Sequence, residues 1–494
     1  MMRRQTQNDY QPVSRSGKAG NPSGEWTVKP KDAAVPSANG LRLVGPRAFK
    51  TETIVPEPNS LSATFLKHGH VFSYAALFLF TLILYARPAE FYPSALTASI
   101  ALIVGIATLG FFVPSQLSLE GTLTARPQEV NLVLLFCLTA LLSVPFAINR
   151  QEAWLEFSST FIRCIVIFVV IVNVVRTEAR LKGLIFLAIA AGLWLSFEAV
   201  NDYRLGLLTV EGYRAAGRGT GIFGNTNDMA LHLVTILPIS VALMIGSKGA
   251  VRKVLYGACA MVMIAAIVLS YSRGAFIGML IVFLFIAWKL GSQRRLEIVI
   301  AVLGFAGLLV LLAPDKYGSR LLSIFIPSLD TEGSADARRG ELFRSIYVAL
   351  RHPLLGIGMG NYQPEMSYHG LVTHNSYTQV GAELGMTALA CYLLFIVTPL
   401  RKLGQIARET FATRRDSRFY YLALGLQASL IAYLISSFFL SVAYVWYVYY
   451  LVAYAVCLRR LYESETGQVV VAETRKDRKK AAAAALSRPA DVTI

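Results

Sequence analysis

What most constrains this chain is a repetition. Apolar runs of about 17 to 25 residues, the length that crosses a hydrocarbon layer as a helix, recur from near residue 70 to near residue 460. About twelve can be read, centred near residues 77, 104, 139, 166, 190, 236, 261, 282, 304, 387, 428 and 450. The last two share the stretch LSVAYVWYVYYLVAYAVCL, so a tight hairpin near 440–443 has to separate them. In lipid every backbone amide must find an internal partner, so runs of this kind fold as helices. The 494 residues are 55% hydrophobic and only 16% charged, with a mean hydropathy of +0.51, far more apolar than a soluble core of this size requires. The predicted fold is all-α: a polytopic membrane protein of about twelve transmembrane helices, with one long outer loop carrying an amphipathic helix.

The charges orient the bundle, because Lys and Arg collect in cytoplasmic loops. With the N-terminus inside, the inner connections become VRTEARLK, SKGAVRK, KLGSQRR and RKLGQIARETFATRRDSR, and the chain ends in a further basic stretch. The outer connections become ARPAEFYPS, AINRQEAWLEF, residues 201–227, the turn YSRG and the long segment 314–373. That segment contains arginines, but long loops translocate largely regardless of charge. The net charge of +17 is therefore mostly a topology signal. It is divided among short loops and tails, which argues against a nucleic-acid partner.

Residues 1–62, with Pro12, Pro22, Pro30, Pro36, Pro46, Pro56 and Pro58 among Ser, Gly, Lys and Arg, bury too little apolar surface to order themselves. They are expected to form a disordered cytoplasmic tail, since no apolar core follows MMRR within the ~15 to 30 residues of a signal peptide. Residues 461–494 are expected to form a second tail. Cys137, Cys164, Cys259, Cys391 and Cys457 all lie inside apolar runs without metal-ligand spacing, and are expected to pack as small apolar side chains.

Polar residues gather at the outer ends of the predicted spans. Arg163, Glu198 and His232 fall inside or at the edge of a span, where an ionisable residue is costly and suggests function; an Arg163 pairing with Glu156 or Glu198 is the structural alternative. The stretch EGYRAAGRGTGIFGNTND (211–228) carries Arg214 and Arg218 among glycines and runs into a helix start, a combination suited to an anion. The bland reading is a loop with Asn225, Asn227 or Asp228 as a helix cap. In LSYSRGAFIG the turn is too short to lift Arg273 into water, so Arg273 lies at the interface or points into the bundle. Within 314–373, SADARRGELFRSIYVALRHP reads as an amphipathic helix capped by Ser334 or Asp336. Leu342, Phe343, Ile346 and Leu350 fall on one face, with Arg338, Arg339 and Arg344 elsewhere. It is predicted to lie along the membrane surface.

RHPLLGIGMGNY followed by HNSYTQVGAELGMTALA resembles the O-antigen ligase and polymerase family of bacterial membrane glycosyltransferases. His374 and Asn375, with Gly385 after nine intervening residues, match its His-Asn-x9-Gly pattern; Arg339 resembles the arginine that begins its surface helix. Arg273, and either Arg214 or Arg218, match its other basic positions. The resemblance spans roughly 201–400, between N-terminal helices (63–200) and a C-terminal helical pair (401–460). It implies a bacterial inner-membrane enzyme with its active site, and the loop 314–373, in the periplasm. Such enzymes pass a glycan from undecaprenyl diphosphate to an acceptor hydroxyl on lipid A core, on another glycan or on a protein.

In that chemistry His374, with a reference pKa of about 6.5, is the candidate base. Arg273 with Arg214 or Arg218 is suited to the departing diphosphate, and Arg339 and Asn375 take supporting places. Attack opposite the diphosphate would invert the anomeric centre. No D-x-D pair occurs in the outer loops, so arginines are expected in place of a metal, and no cofactor is expected. A secondary transporter is the alternative class, though it would place polar residues near the midplane and commonly contain repeated halves. Here they favour one side, and the halves do not match.

Overall fold

The computed structural model describes residues 69–208, 212–216, 222–291, 295–313, 317–322 and 334–470. The expected tail at 1–62, most of that at 461–494, and Arg218 lie outside these residues. Among the described residues the regular structure is helical throughout. The bundle opens with α1 (Val71–Ala86), α2 (Ala95–Glu120), α3 (Gln128–Ser143), α4 (Arg150–Val174) and α5 (Glu178–Arg204). It continues through α6 (Thr226–Gly246), α7 (Ala250–Leu269), α8 (Arg273–Leu290) and α9 (Arg295–Leu312). After α10 (Ser334–Arg351) come α11 (Ser376–Glu409), α12 (Tyr420–Ser436) and α13 (Tyr447–Thr466).

Ten of the described helices are long and apolar enough to cross a membrane. The other two expected runs form α9 and α13. The apolar stretch Leu296–Leu312 is shorter than the ten, and α13 gathers Arg459, Arg460, Glu463 and Glu465 at its end. Among the described residues, length and apolarity together therefore mark ten helices as candidate spans.

Ion pairs gather the starts of α3 and α5 at one end of the bundle with the ends of α2, α11 and α13. Charge pairs concentrate there. Glu129, fully buried, accepts from Lys402 Nζ at 3.0 Å and Arg459 Nη2 at 2.8 Å, tying α3 to α11 and α13. Arg176 pairs with Glu120 at 2.7 Å, and Arg418 with Glu178 at 3.0 Å. Removing Glu129 would leave buried Lys402 without its carboxylate and Arg459 with only Glu463, at 3.4 Å, a loss of about 3–5 kcal/mol. The opposite end is held together by close packing. In RGAFIGML, Gly274 and Gly278 lie one turn apart on α8, and added Cβ atoms would stand 2.9 Å from the Phe439 ring and 2.5 Å from Ser436 Oγ. Small residues at this spacing let helices approach closely in lipid. They bring the start of α8 against the end of α12.

Candidate active site

The start of α11 is built by a dense local network. Asn375 caps the helix, its Oδ1 accepting from the backbone N–H of Tyr377 at 2.9 Å and Thr378 at 3.0 Å. Thr373 Oγ1 donates to the Asn375 carbonyl at 3.0 Å and meets Ser441 Oγ at 2.7 Å. Ser376 Oγ donates to the Leu440 carbonyl at 2.7 Å and accepts from Val442 N–H at 3.0 Å. The turn before α13 therefore grips both sides of His374 and Asn375. His374 itself sits at φ 49°, in the left-handed region that bulky residues avoid.

Ten residues after Asn375 the helix breaks. Gly385 has φ 84° and ψ 178° inside α11, and a Cβ there would stand 2.5 Å from the Leu354 carbonyl oxygen. The segment LLGIGMGNY fills the break. Ile357 N–H donates to the Ala382 carbonyl at 3.0 Å, Gly358 N–H to that of Glu383 at 2.9 Å, and Met386 N–H to that of Pro353 at 2.7 Å. Gly356, at φ 66°, lies so close that a Cβ would run into the Glu383 carbonyl. The glycines of the two recognisable stretches thus exist to let one segment enter the other, and this seats α10 beside the start of α11. Ser345 Oγ donates to Thr378 Oγ1 at 2.9 Å across that contact. Glu341, fully buried on α10, accepts from Tyr362 Oη at 2.7 Å, Ser367 Oγ at 2.9 Å and the backbone N–H groups of Tyr368 and His369 at 3.0 Å each. Burial pushes its carboxyl up, but these four donors prevail and hold it below the ordinary carboxylate value.

The starts of α8, α10 and α11 and the end of α12 enclose a cavity of about 250 Å³. Arg273, Arg338, Arg339 and Asp336 supply its charge, and His374, Asn375, Thr373, Ser272 and Asn227 its neutral polar groups. Leu231, Ile277, Leu342, Phe438, Phe439 and Leu440 make the apolar wall. Asn375 Nδ2 is buried with no protein hydrogen-bond partner, a donor left for whatever occupies the cavity. Burial, then the charge of Arg338, pushes the His374 imidazole down to about 4 against the opposing pull of Glu341. It is neutral at pH 7.

Four of the residues singled out in the sequence, His374, Asn375, Arg273 and Arg339, meet in this cavity. Arg214 is buried behind it and does not line it: Nε donates to the Ser270 carbonyl at 2.9 Å and Nη2 to Asn227 Oδ1 at 2.9 Å. Arg214 therefore orients Asn227, which does line the cavity. Arg163 is exposed on α4. His232 is buried among the rings of Tyr85, Phe223, Trp446 and Tyr447. Neither they nor Glu198 lines the cavity. The predicted apolar face of α10 divides: Leu342 turns to the cavity, while Phe343, Ile346 and Leu350 stay exposed with Tyr347. The side packed on the protein is instead Glu341, Ser345, Val348 and Ala349. The residues that sequence reasoning had not placed at the site are Arg338, Asn227, Asp336 and the Phe438–Phe439 pair. Arg338 carried the one signal that could have found it, a second arginine beside Arg339 at a helix start.

Residues 258–393 match the O-antigen ligase family model. The matched stretch runs from within α7 into α11, so it contains Arg273, Arg339, His374, Asn375 and the broken helix at Gly385. Arg214, Asn227 and the α12 wall lie outside it. With the ten apolar helices, the O-antigen ligase match supports a multi-pass membrane glycosyltransferase of the O-antigen ligase and polymerase family. No curated protein matches the chain. Among the described residues, no group of three or more His, Cys, Asp or Glu is placed to hold a metal ion.

Proposed function

We propose that this chain transfers a glycan from undecaprenyl diphosphate to an acceptor hydroxyl at the periplasmic face of the inner membrane, as an O-antigen ligase. The observation that carries the reading is the meeting of a neutral histidine, His374, with three arginines, Arg273, Arg338 and Arg339, in one cavity at one end of the bundle. These residues support the reading because such a transfer needs a base and cations together.

In this mechanism the imidazole of His374 takes the proton of the acceptor hydroxyl as its oxygen attacks the anomeric carbon. The bond from that carbon to the diphosphate oxygen breaks on the opposite face, inverting the centre. Negative charge grows on the departing undecaprenyl diphosphate, and Arg273 stabilises it with the planar fork that suits phosphate oxygens. Asn227, held by Arg214, faces the same region. Asn375 Nδ2 offers a donor to a sugar or phosphate oxygen. An imidazole with a pKa of about 4 is by itself a weak base. An arriving diphosphate counters the arginine charge and strengthens it, which couples proton transfer to donor binding.

The polymerase and the protein O-oligosaccharyltransferase use the same base and arginines and differ only in acceptor. A chromosomal deletion of this chain separates the three by what accumulates. The ligase reading expects long polymer on undecaprenyl diphosphate and a bare lipid A core. Single-repeat lipopolysaccharide, or loss of a secreted polysaccharide, would replace it with a polymerase. Intact polysaccharides with glycoproteins of altered mass would replace it with a protein transferase.

A further inference from the structure

Among the described residues four non-glycine residues stand at positive φ, and two of them belong to or adjoin the candidate site. One is His374. The other is Tyr271, at φ 53°, two residues before Arg273 in the turn that joins α7 to α8. A bulky residue keeps this conformation only where its surroundings impose it.

Those surroundings reach the turn from two directions. Leu269, Ser270 and Tyr271 carry three consecutive carbonyls at the end of α7, beyond the reach of its own amides. Each finds a donor elsewhere in the chain: Ala215 N–H meets the first at 3.1 Å, Arg214 Nε the second at 2.9 Å and Arg320 Nε the third at 3.2 Å. Arg320 belongs to the short helix Tyr317–Leu322, near the beginning of the long loop after α9. Its guanidinium also donates to the Tyr213 hydroxyl and lies 5.4 Å over that ring, so it ties the two arms together. Between them the buried Tyr271 ring packs edge-on against Tyr213 at 5.0 Å and Tyr317 at 5.3 Å. Tyr317, fully buried, also meets Phe276 of α8 at 5.9 Å. Arg320 does not line the cavity that holds Arg273.

Resting on the proposed function, in which Arg273 meets the departing diphosphate, we infer that Arg320 is a positioning residue for Arg273, acting through the Tyr271 carbonyl. Holding that carbonyl fixes the direction in which α8 leaves the turn. With it is fixed the place of the Arg273 guanidinium, at the first residue of α8. The long outer loop then contributes twice: its first helix steadies Arg273, and α10 brings Arg338 and Arg339.

The test uses the full-length protein in proteoliposomes with an undecaprenyl diphosphate-linked glycan and a hydroxyl acceptor, with hydrogen exchange followed by mass spectrometry on the same preparations. Arg344 makes a similar contact elsewhere in the loop, donating to the Met366 carbonyl at 3.0 Å and lying 4.7 Å over the Tyr368 ring. Arg344→Ala is therefore the control. Arg320→Ala is expected to speed exchange over residues 270–276 and to leave residues 376–384 at the wild-type rate, whereas Arg344→Ala leaves 270–276 unchanged. Arg320→Ala should also lower kcat about tenfold to a hundredfold at unchanged donor KM, the effect of a displaced catalytic group. In an Arg273→Lys background it should cost nothing further, because the guanidinium it positions is gone. Unaltered exchange over 270–276, or exchange accelerated equally everywhere, overturns the assignment. So does a raised donor KM at wild-type kcat, which would make Arg320 a direct donor contact, or a full additional loss in Arg273→Lys. Transfer by the wild type upholds the proposed reaction independently. Its absence overturns the reaction, and the exchange result still decides whether Arg320 holds the turn.

Discussion

His374 stands where a protein ordinarily places glycine or asparagine. A non-glycine residue in the left-handed region costs about 1–3 kcal/mol and persists only where its surroundings impose it; here the Thr373, Asn375 and Ser376 bonds do so. The conformation sets the imidazole in the cavity beside Arg338, whose charge, after burial, lowers its pKa. Only the neutral imidazole can take a proton, so kcat/KM falls as pH drops through the His374 pKa. With that pKa at about 4 in the free enzyme, the acidic limb should lie well below the value of about 6.5 of an ordinary histidine. Arg338→Gln removes a lowering influence and should move the limb toward neutral pH. A wild-type limb at or above the ordinary value, or one that Arg338→Gln leaves in place, would contradict this electrostatic account. Arg338 and Arg339 were both visible in the sequence at a helix start. Their convergence on one cavity depends on how α10 docks, which the spacing does not encode.

At the scale of elements, α11 is two helical pieces across Gly385, and the broken turn is the socket for the segment that follows α10. Gly385→Ala places a Cβ in contact with the Leu354 carbonyl at a φ that alanine resists. The expected cost is about 1–3 kcal/mol, seen as a lower unfolding temperature in detergent together with reduced transfer, because α10 and its arginines shift. Unchanged stability and transfer would mean that the break is incidental. The apolar periodicity of GAELGMTALA reads as uninterrupted helix, so the break was hidden in the sequence. Only the glycine hinted at it. Arg214 was hidden for another reason: a glycine-rich loop has no period from which to tell inward from outward, and this arginine turned inward to Ser270 and Asn227.

For the whole molecule, the positions and the lengths of the apolar runs carried most of the helical architecture. Both follow from transfer free energies that act residue by residue. The marginal cases, α9 and α13, are those where length or terminal charge weakens that signal. The N-inside orientation proposed from the basic loops would put α10 outside and the α11–α12 connection inside. Alkaline phosphatase fused after Gly340 should be active and after Gly404 inactive; the opposite pattern would put His374 in the cytoplasm.

The most direct test of the central claim, that His374 is the base of a lipid-linked glycan transfer, compares wild-type and His374→Ala protein in proteoliposomes. Both receive an undecaprenyl diphosphate-linked glycan and a hydroxyl acceptor, in buffer containing EDTA. Equal insertion is verified by the amount and unfolding temperature of the reconstituted protein. The account predicts that wild type transfers glycan despite the chelator and that His374→Ala loses about 10² to 10⁴ in rate. Near-wild-type transfer by well-inserted His374→Ala would contradict it.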